Sequence, residues 1–255
     1  LELMSDAGCD GLLVTEPANI YYISGFTGDG TLLITGGTSH IITDPRFTEQ
    51  ASRESPKFEI HGLLADSGWA SLTQKFKRVG FESSYVTYEG YQKWLKALGD
   101  KLFPCSQLVE QLRLIKEETE LEKIRNAVRI GDEVFQDILP EISPGVSERH
   151  LGMMIDHRLR IRGCEKEAFD TIVVSGKRSS LPHGRPSDKV LEFGDVVTFD
   201  FGGFYQAYAG DMTRTVVVGK SCPRSRDIYS RVLEAQIAGL EAIAPGKTCR
   251  EIDLT

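Results

Sequence analysis

The seventeen residues from Phe199 to Thr215, FDFGGFYQAYAGDMTRT, restrict the possible folds of this chain more than any other stretch. They read as a strand, a Gly-rich turn and a second strand. A period of two puts Thr198 and Asp200 on one face of the first strand, with Val197, Phe199 and Phe201 on the other. On the second strand Asp211, Thr213 and Thr215 share a face opposite Met212 and Val216. One side of this ribbon therefore calls for an apolar layer, and the other carries two acids. If the strands pair with Asp200 roughly opposite Asp211, their Cβ atoms lie ~5 Å apart, where like charges repel. Aspartate is also a poor strand former, so the pair needs compensation that propensity does not provide.

A divalent metal supplies that compensation most simply. Oxygen-only ligands suit Mn, Mg or Co-like ions, and one carboxylate can bridge two ions ~3.5 to 4 Å apart. The competing account puts Asp211 in a loop after Gly210 and pairs Asp200 with an arginine such as Arg214. The residues alone leave both open. A second constellation is SGKRSSLPHGRPSDK, residues 175–189, a loop rich in Gly, Ser and Pro. Its one histidine, His183, is either a hydrogen-bond donor to a carbonyl or to developing negative charge, or simply solvated. His40, His61, His150 and His157 have no such setting and read as surface or packing residues. Walker-type loops, G-x-G-x-x-G and G-x-S-x-G are absent, which removes support for nucleotide-binding and serine-hydrolase readings.

From Gly11 to about Phe103, GLLVT, PANIYYISGF, TLLITGG, HIITD, VGFE and YEGYQKWLKAL read as strands and turns with short helices, an α/β module. The stretch PCSQLVEQLRLIKEETE shifts to charged, helix-favouring residues and predicts a domain boundary near residue 112. Beyond it Leu121, Ile124, Val128, Phe135 and Ile138 recur at helical spacing up to Pro140. A second helix runs from a Ser147 cap to Gly163, strands follow at 169–176, 195–203 and 212–219, and a third helix follows Ser225. The octets ISPGVSER (142–149) and IAPGKTCR (243–250) share Ile-x-Pro-Gly-x-Ser/Thr-x-Arg between amphipathic helices. Either generic turn chemistry recurs here, or the chain begins one structural unit twice and stops, at Thr255, early in the second copy.

The 255 residues carry a formal net charge of -7 with 26% charged residues, an ordinary soluble composition without a basic stripe for nucleic acid or an anionic membrane. No apolar run reaches the ~18 residues of a membrane span, and the start lacks both a signal peptide and an initiator Met, so residues are expected before Leu1. Five scattered cysteines without a C-x-x-C pair suggest neither disulfides nor a thiolate zinc site. A cytoplasmic location fits best.

Together RLIKEETELEKIRNA, FDTIVVSG with LPHGRPSDK, and FDFGGFYQAYAGDMTRTVVVG strongly resemble the pita-bread metallopeptidases, in particular the Xaa-Pro aminopeptidases and Xaa-Pro dipeptidases (prolidases). PANIYYISGFTGDGTLLIT with IITDPRFTEQA resembles their creatinase-like N-terminal domain. The resemblance implies an α/β (α+β) chain with a creatinase-like domain over residues 1–112 and the first half of a pita-bread catalytic domain over 113–255. It implies two divalent ions, Mn before Co or Zn, with Asp200 chelating one ion and Asp211 bridging both. His183 would match the catalytic, substrate-binding loop histidine. The implied reaction is hydrolysis, by a metal-bound hydroxide, of the bond between an N-terminal residue and proline in peptides or dipeptides, in a homodimer. Metal-free relatives that act as scaffolds, and amidinohydrolases of the creatinase kind, are the alternatives on this fold, and the retained aspartates weigh against both. The remaining ligands of such a site, a histidine and two glutamates, one of them the general base, have no match here. They are expected on roughly another hundred residues, without which this polypeptide is expected to be inactive.

Overall fold

A computed structural model describes residues 1–255. It divides into two compact units, Leu1–Glu117 and Glu118–Thr255. In the first unit strands β1 (Gly11–Val14), β2 (Gly30–Thr35), β3 (His40–Thr43), β4 (Glu59–His61), β5 (Val79–Glu82) and β6 (Leu102–Cys105) form one mixed sheet in the order β4-β3-β2-β1-β5-β6. Helices α1 (Glu2–Asp6), α2 (Pro17–Ser24), α3 (Thr48–Glu54), α4 (Asp66–Leu72), α5 (Tyr88–Leu98) and α6 (Leu108–Leu114) complete the unit.

The continuous run GLLV of β1 follows from burial on both faces. Leu12 and Val14 join Ile20, Leu32 and Ile41 in one core, while Leu13 joins Leu33, Ile42, Val79 and Phe81 in another. A strand buried on both sides shows no alternation. PANIYYISGF is the helix α2, opened by Pro17 at its first position and ended by Gly25 in the left-handed conformation.

The second unit begins with two long helices, α7 (Glu118–Ile138) and α8 (Glu148–Ile161). Strands β7 (Lys166–Glu167), β8 (Ile172–Ser175), β9 (Val196–Phe201), β10 (Gly203–Tyr205), β11 (Tyr208–Ala209) and β12 (Met212–Val217) follow, then helices α9 (Pro223–Ala242) and α10 (Cys249–Asp253). The strands form two small sheets, β12-β9-β8 and β11-β10-β7. Ile130, Val134, Phe135 and Ile138 of α7 and Leu151, Ile155 and Leu159 of α8 pack with Val173, Val197, Phe199, Phe201 and Met212 of the first sheet. Phe135 meets Phe199 edge-on at 5.9 Å between centroids.

The two octets adopt the same local structure. Gly145 and Gly246 both take the left-handed conformation, at φ 92 and 86. Ser147 and Thr248 then cap α8 and α10 by accepting from the amides of His150 and Glu251. The third long helix starts two residues earlier than Ser225 suggests, because Pro223 occupies its first turn and the Cys222 thiol takes the cap position. None of α9 is buried, and Ile228, Tyr229, Val232, Leu233, Ile237 and Leu240 are exposed along it.

Between the two aspartates the chain does more than turn. Gly202 breaks the run after β9, β10 and β11 fold as a small hairpin in the other sheet, and β12 then returns to β9. A Cβ at Gly202 would run into the carbonyl oxygen of Gly210, and one at Gly210 would sit 2.9 Å from the backbone of Ala127 on α7. Only glycine fits at either crossing. Gly202→Ala is therefore expected to destabilise the second unit by ~3 kcal/mol, read as a lowered urea midpoint of its transition.

Candidate metal centre

Alternation along β9 places Val197, Phe199 and Phe201 at 0% exposure in the helix-covered core, which leaves Thr198 and half-buried Asp200 on the opposite face. On β12 the same face carries Thr213 and Thr215, opposite Asp200 and Thr198 respectively. The register thus places Thr213, not Asp211, beside Asp200. Asp211 lies one residue before β12, where its Cα falls against Gly202. The two acids are diagonal neighbours, the arrangement with Cβ atoms up to ~7 to 8 Å apart. That spacing relieves direct repulsion and leaves room for a cation between the carboxylates.

The Thr213 hydroxyl donates to Asp200 Oδ1 at 2.8 Å. This fixes the carboxylate's orientation while its other oxygen stays unengaged. Asp211 is exposed and has neither a side-chain hydrogen bond nor an ion pair. Arg214 points to the other side of the strand, pairing with Asp132 of α7 at 2.9 Å. The account in which an arginine neutralises Asp200 is thereby removed. Two carboxylates on one face without a countercharge fit an oxygen-liganded divalent ion, and the free pair of oxygens on Asp211 suits a bridging position.

His183 lies exposed in the turn Leu181–Gly184, closed by a Gly184 amide bond to the Leu181 carbonyl at 3.1 Å. A Cβ at Gly184 would stand 2.6 Å from Val174 Cγ1. Val174 pairs with Thr198, so it belongs to the face that carries Asp200. The loop therefore folds over the β8 end of the acidic face. His183 makes no hydrogen bond or ion pair with either aspartate, so the fold gathers the three residues on one side of one sheet without joining them.

What holds that loop is a residue the sequence reading passed over. Glu148, at the first position of α8, is completely buried. Its Oε1 accepts from the Ser175 amide and hydroxyl, both at 2.8 Å. Its Oε2 accepts from the Ser187 hydroxyl at 2.7 Å, the Ser187 amide at 3.1 Å and Arg178 Nε at 3.0 Å. One carboxylate thus ties together both ends and the middle of the His183 loop. Burial alone would raise its pKa, but the bonds from Ser187 and Ser175 outweigh that and hold it below the ordinary value of 4.5. In sequence Glu148 looks like a residue favouring a helix N-terminus, because nothing local reveals its burial.

The fold and the site define a metallopeptidase behind a creatinase-type domain. The chain belongs to Metallopeptidase family M24, matched over residues 122–255, and residues 1–115 match the Creatinase/Prolidase N-terminal domain. The uncharacterized peptidase YqhT of Bacillus subtilis is 41% identical over 98% of this chain and 73% of its own length. The solved Xaa-Pro dipeptidase from Bacillus anthracis superposes with a TM-score of 0.94 at 40% identity, covering 98% of this chain and 73% of that one. The X-Pro aminopeptidase from Thermotoga maritima gives 0.91 at 34% identity, over 100% of this chain and 75% of that one. The second unit thus has the pita-bread fold of prolidases. The family's metallopeptidase chemistry implies divalent metal ions. No helix is long and apolar enough to cross a membrane.

Because the Glu148 pKa is depressed in the folded protein, its contribution is complete above pH 4.5 and is lost as pH falls through the lower folded value. Glu148→Gln is expected to flatten the acid limb of the stability curve. It should also cost ~3 kcal/mol near neutral pH, measured by urea unfolding from pH 7 down to 3.

Proposed function

We infer that this protein is a metal-dependent exopeptidase that hydrolyses the bond between an N-terminal residue and proline, with dipeptides among its substrates. The observation that carries this reading is the unneutralised pair Asp200 and Asp211 on the open face of β9 and β12, within the segment that matches the metallopeptidase family. In the proposed site Asp200, its orientation set by Thr213, would hold one divalent ion, and Asp211 would be shared between two. Divalent ions there supply the Lewis acidity that polarises the scissile carbonyl and acidifies a water. His183, on a loop clamped by Glu148, donates a hydrogen bond to the substrate beside the scissile bond. Mn is the proposed metal because the family resemblance implies it, and the oxygen donors of both acids are compatible with it.

The proposal extends to organisation. The creatinase-like domain expected over residues 1–112 corresponds to the unit Leu1–Glu117, the first half of the pita-bread domain expected over 113–255 to Glu118–Thr255, and the enzyme works as a cytoplasmic homodimer. Family resemblance supports the domains and the dimer, and the five free, scattered cysteines support the cytoplasm. Relatives named as dipeptidases and as an aminopeptidase match about equally well, so proline in the second position is the shared specificity.

In the native gene product, elemental analysis is expected to give about two divalent ions per chain that depend on Asp200 and Asp211. Asp211→Asn should lower that content and abolish Xaa-Pro hydrolysis; unchanged metal and activity would overturn the assignment. His183→Ala should keep the metal but reduce kcat/KM for an Xaa-Pro dipeptide by ~100-fold or more. Thr213→Val, which keeps the shape and removes the hydroxyl, should weaken metal affinity by ~10 to 100-fold in a chelator competition.

A further inference from the structure

Far along the chain from the aspartates, at the edge of the first unit's sheet, three potential metal ligands converge. β3 and β4 pair in parallel with His40 beside Glu59 and Ile42 beside His61. Two-residue alternation then puts Glu59 and His61 on the same face of β4, next to His40. His40 Nδ1 lies 3.0 Å from His61 Nε2. The Glu59 carboxylate presents Oε2 to His40 Nδ1 at 3.4 Å and Oε1 to His61 Nε2 at 3.8 Å. These ligand atoms all fall within 4.8 Å of one another. In the sequence His40 and His61 read as surface or packing residues, because nothing local shows that the two strands are neighbours.

One imidazole N–H can bond the other ring at 3.0 Å, which leaves Glu59 as the weakly held member of the three. The same two nitrogens face each other and the carboxylate, and one N–H can lie along only one of those lines. The two contacts to Glu59 are also long for hydrogen bonds at 3.4 and 3.8 Å. A tetrahedral zinc with bonds of about 2.0 to 2.1 Å separates its donors by ~3.3 Å, close to what these atoms already show. The other convergence in this unit, Glu16, Glu82 and Glu110, differs in kind. There Glu82 is already occupied by the amides of Thr15 and Glu16, at 2.6 and 2.8 Å, and by Asn19 at 2.7 Å.

We propose that His40, Glu59 and His61 form a zinc site that staples edge strand β4 to β3. Two imidazoles and a carboxylate are a zinc-type donor set, and the fourth position opens to a cavity of about 730 Å³ lined also by Ser71, Gln74 and Lys75. Lys75 opposes a cation there, but its ammonium is drawn over the Phe76 ring, 5.4 Å from the centroid, and Glu59 supplies the opposite charge. The ion would tie edge strand β4, which pairs with β3 alone, to the rest of the sheet.

The test uses the protein carrying Asp200→Asn and Asp211→Asn, so that zinc at the proposed catalytic face does not contribute. Zinc titration against a competing chelator is expected to give one equivalent, and Co(II) in its place should show the intense visible bands of a four-coordinate site. Adding His61→Ala should remove both signals, while Glu59→Gln, at an exposed position, should weaken binding by ~10-fold or more. If His61→Ala impairs folding, Glu59→Gln decides. Absence of the equivalent, or binding indifferent to Glu59→Gln and His61→Ala, would leave a hydrogen-bonded histidine pair and overturn the site.

Discussion

The second unit depends on the burial of one face of β9. Phe199 and Phe201, fully enclosed beneath α7 and α8, fix that strand's orientation, because a slip of one residue would exchange them with Thr198 and Asp200. The cost of exposing two aromatic side chains while burying a carboxylate is large on both counts. The same burial therefore determines that Asp200 emerges on the open face. Strand β12 follows, since its pairing with β9 brings Thr213 to Asp200 and leaves Asp211 at the crossing over Gly202.

The crossing itself shows how backbone space is allotted. Between β9 and β12 the chain leaves one sheet, builds a short hairpin in another and returns, so the backbone at Gly210 passes close to both Gly202 and Ala127. Side chains are excluded from this junction, and the absence of Cβ atoms lets three segments meet where Asp211 begins. A carboxylate anchored at such a point has little backbone freedom, which favours a fixed ligand geometry over an adaptable one.

Glu148 performs the complementary task for the loop. A buried carboxylate without donors would be heavily penalised, and here amides, hydroxyls and a guanidinium of residues 175–187 supply them. The loop in turn gains an anchor that its Gly- and Ser-rich composition could not provide from packing. At the sheet edge of the first unit, His40, Glu59 and His61 meet through the same principle of paired strands bringing together residues far apart in sequence.

The apolar periodicities of α7, α8 and β9, the Pro-Gly octets and the two-faced pattern of Phe199–Thr215 were all legible, because each is written in spacings of two to four residues. The candidate residues His183, Asp200 and Asp211 came from their setting and the family resemblance, and their roles belong to the proposed function. The diagonal placement of the aspartates was not legible, since it depends on a hairpin inserted into another sheet. In β9 and α8 a local period by itself determined which residues face the core, whereas the apolar residues of α9, and Val128 of α7, stay exposed. Only the tertiary structure decided that Thr213 orients Asp200, that Glu148 clamps the His183 loop, and that His40, Glu59 and His61 converge. Those contacts join residues brought together by strand order and register, which are set by the free energy of the whole packed unit rather than by any neighbouring stretch.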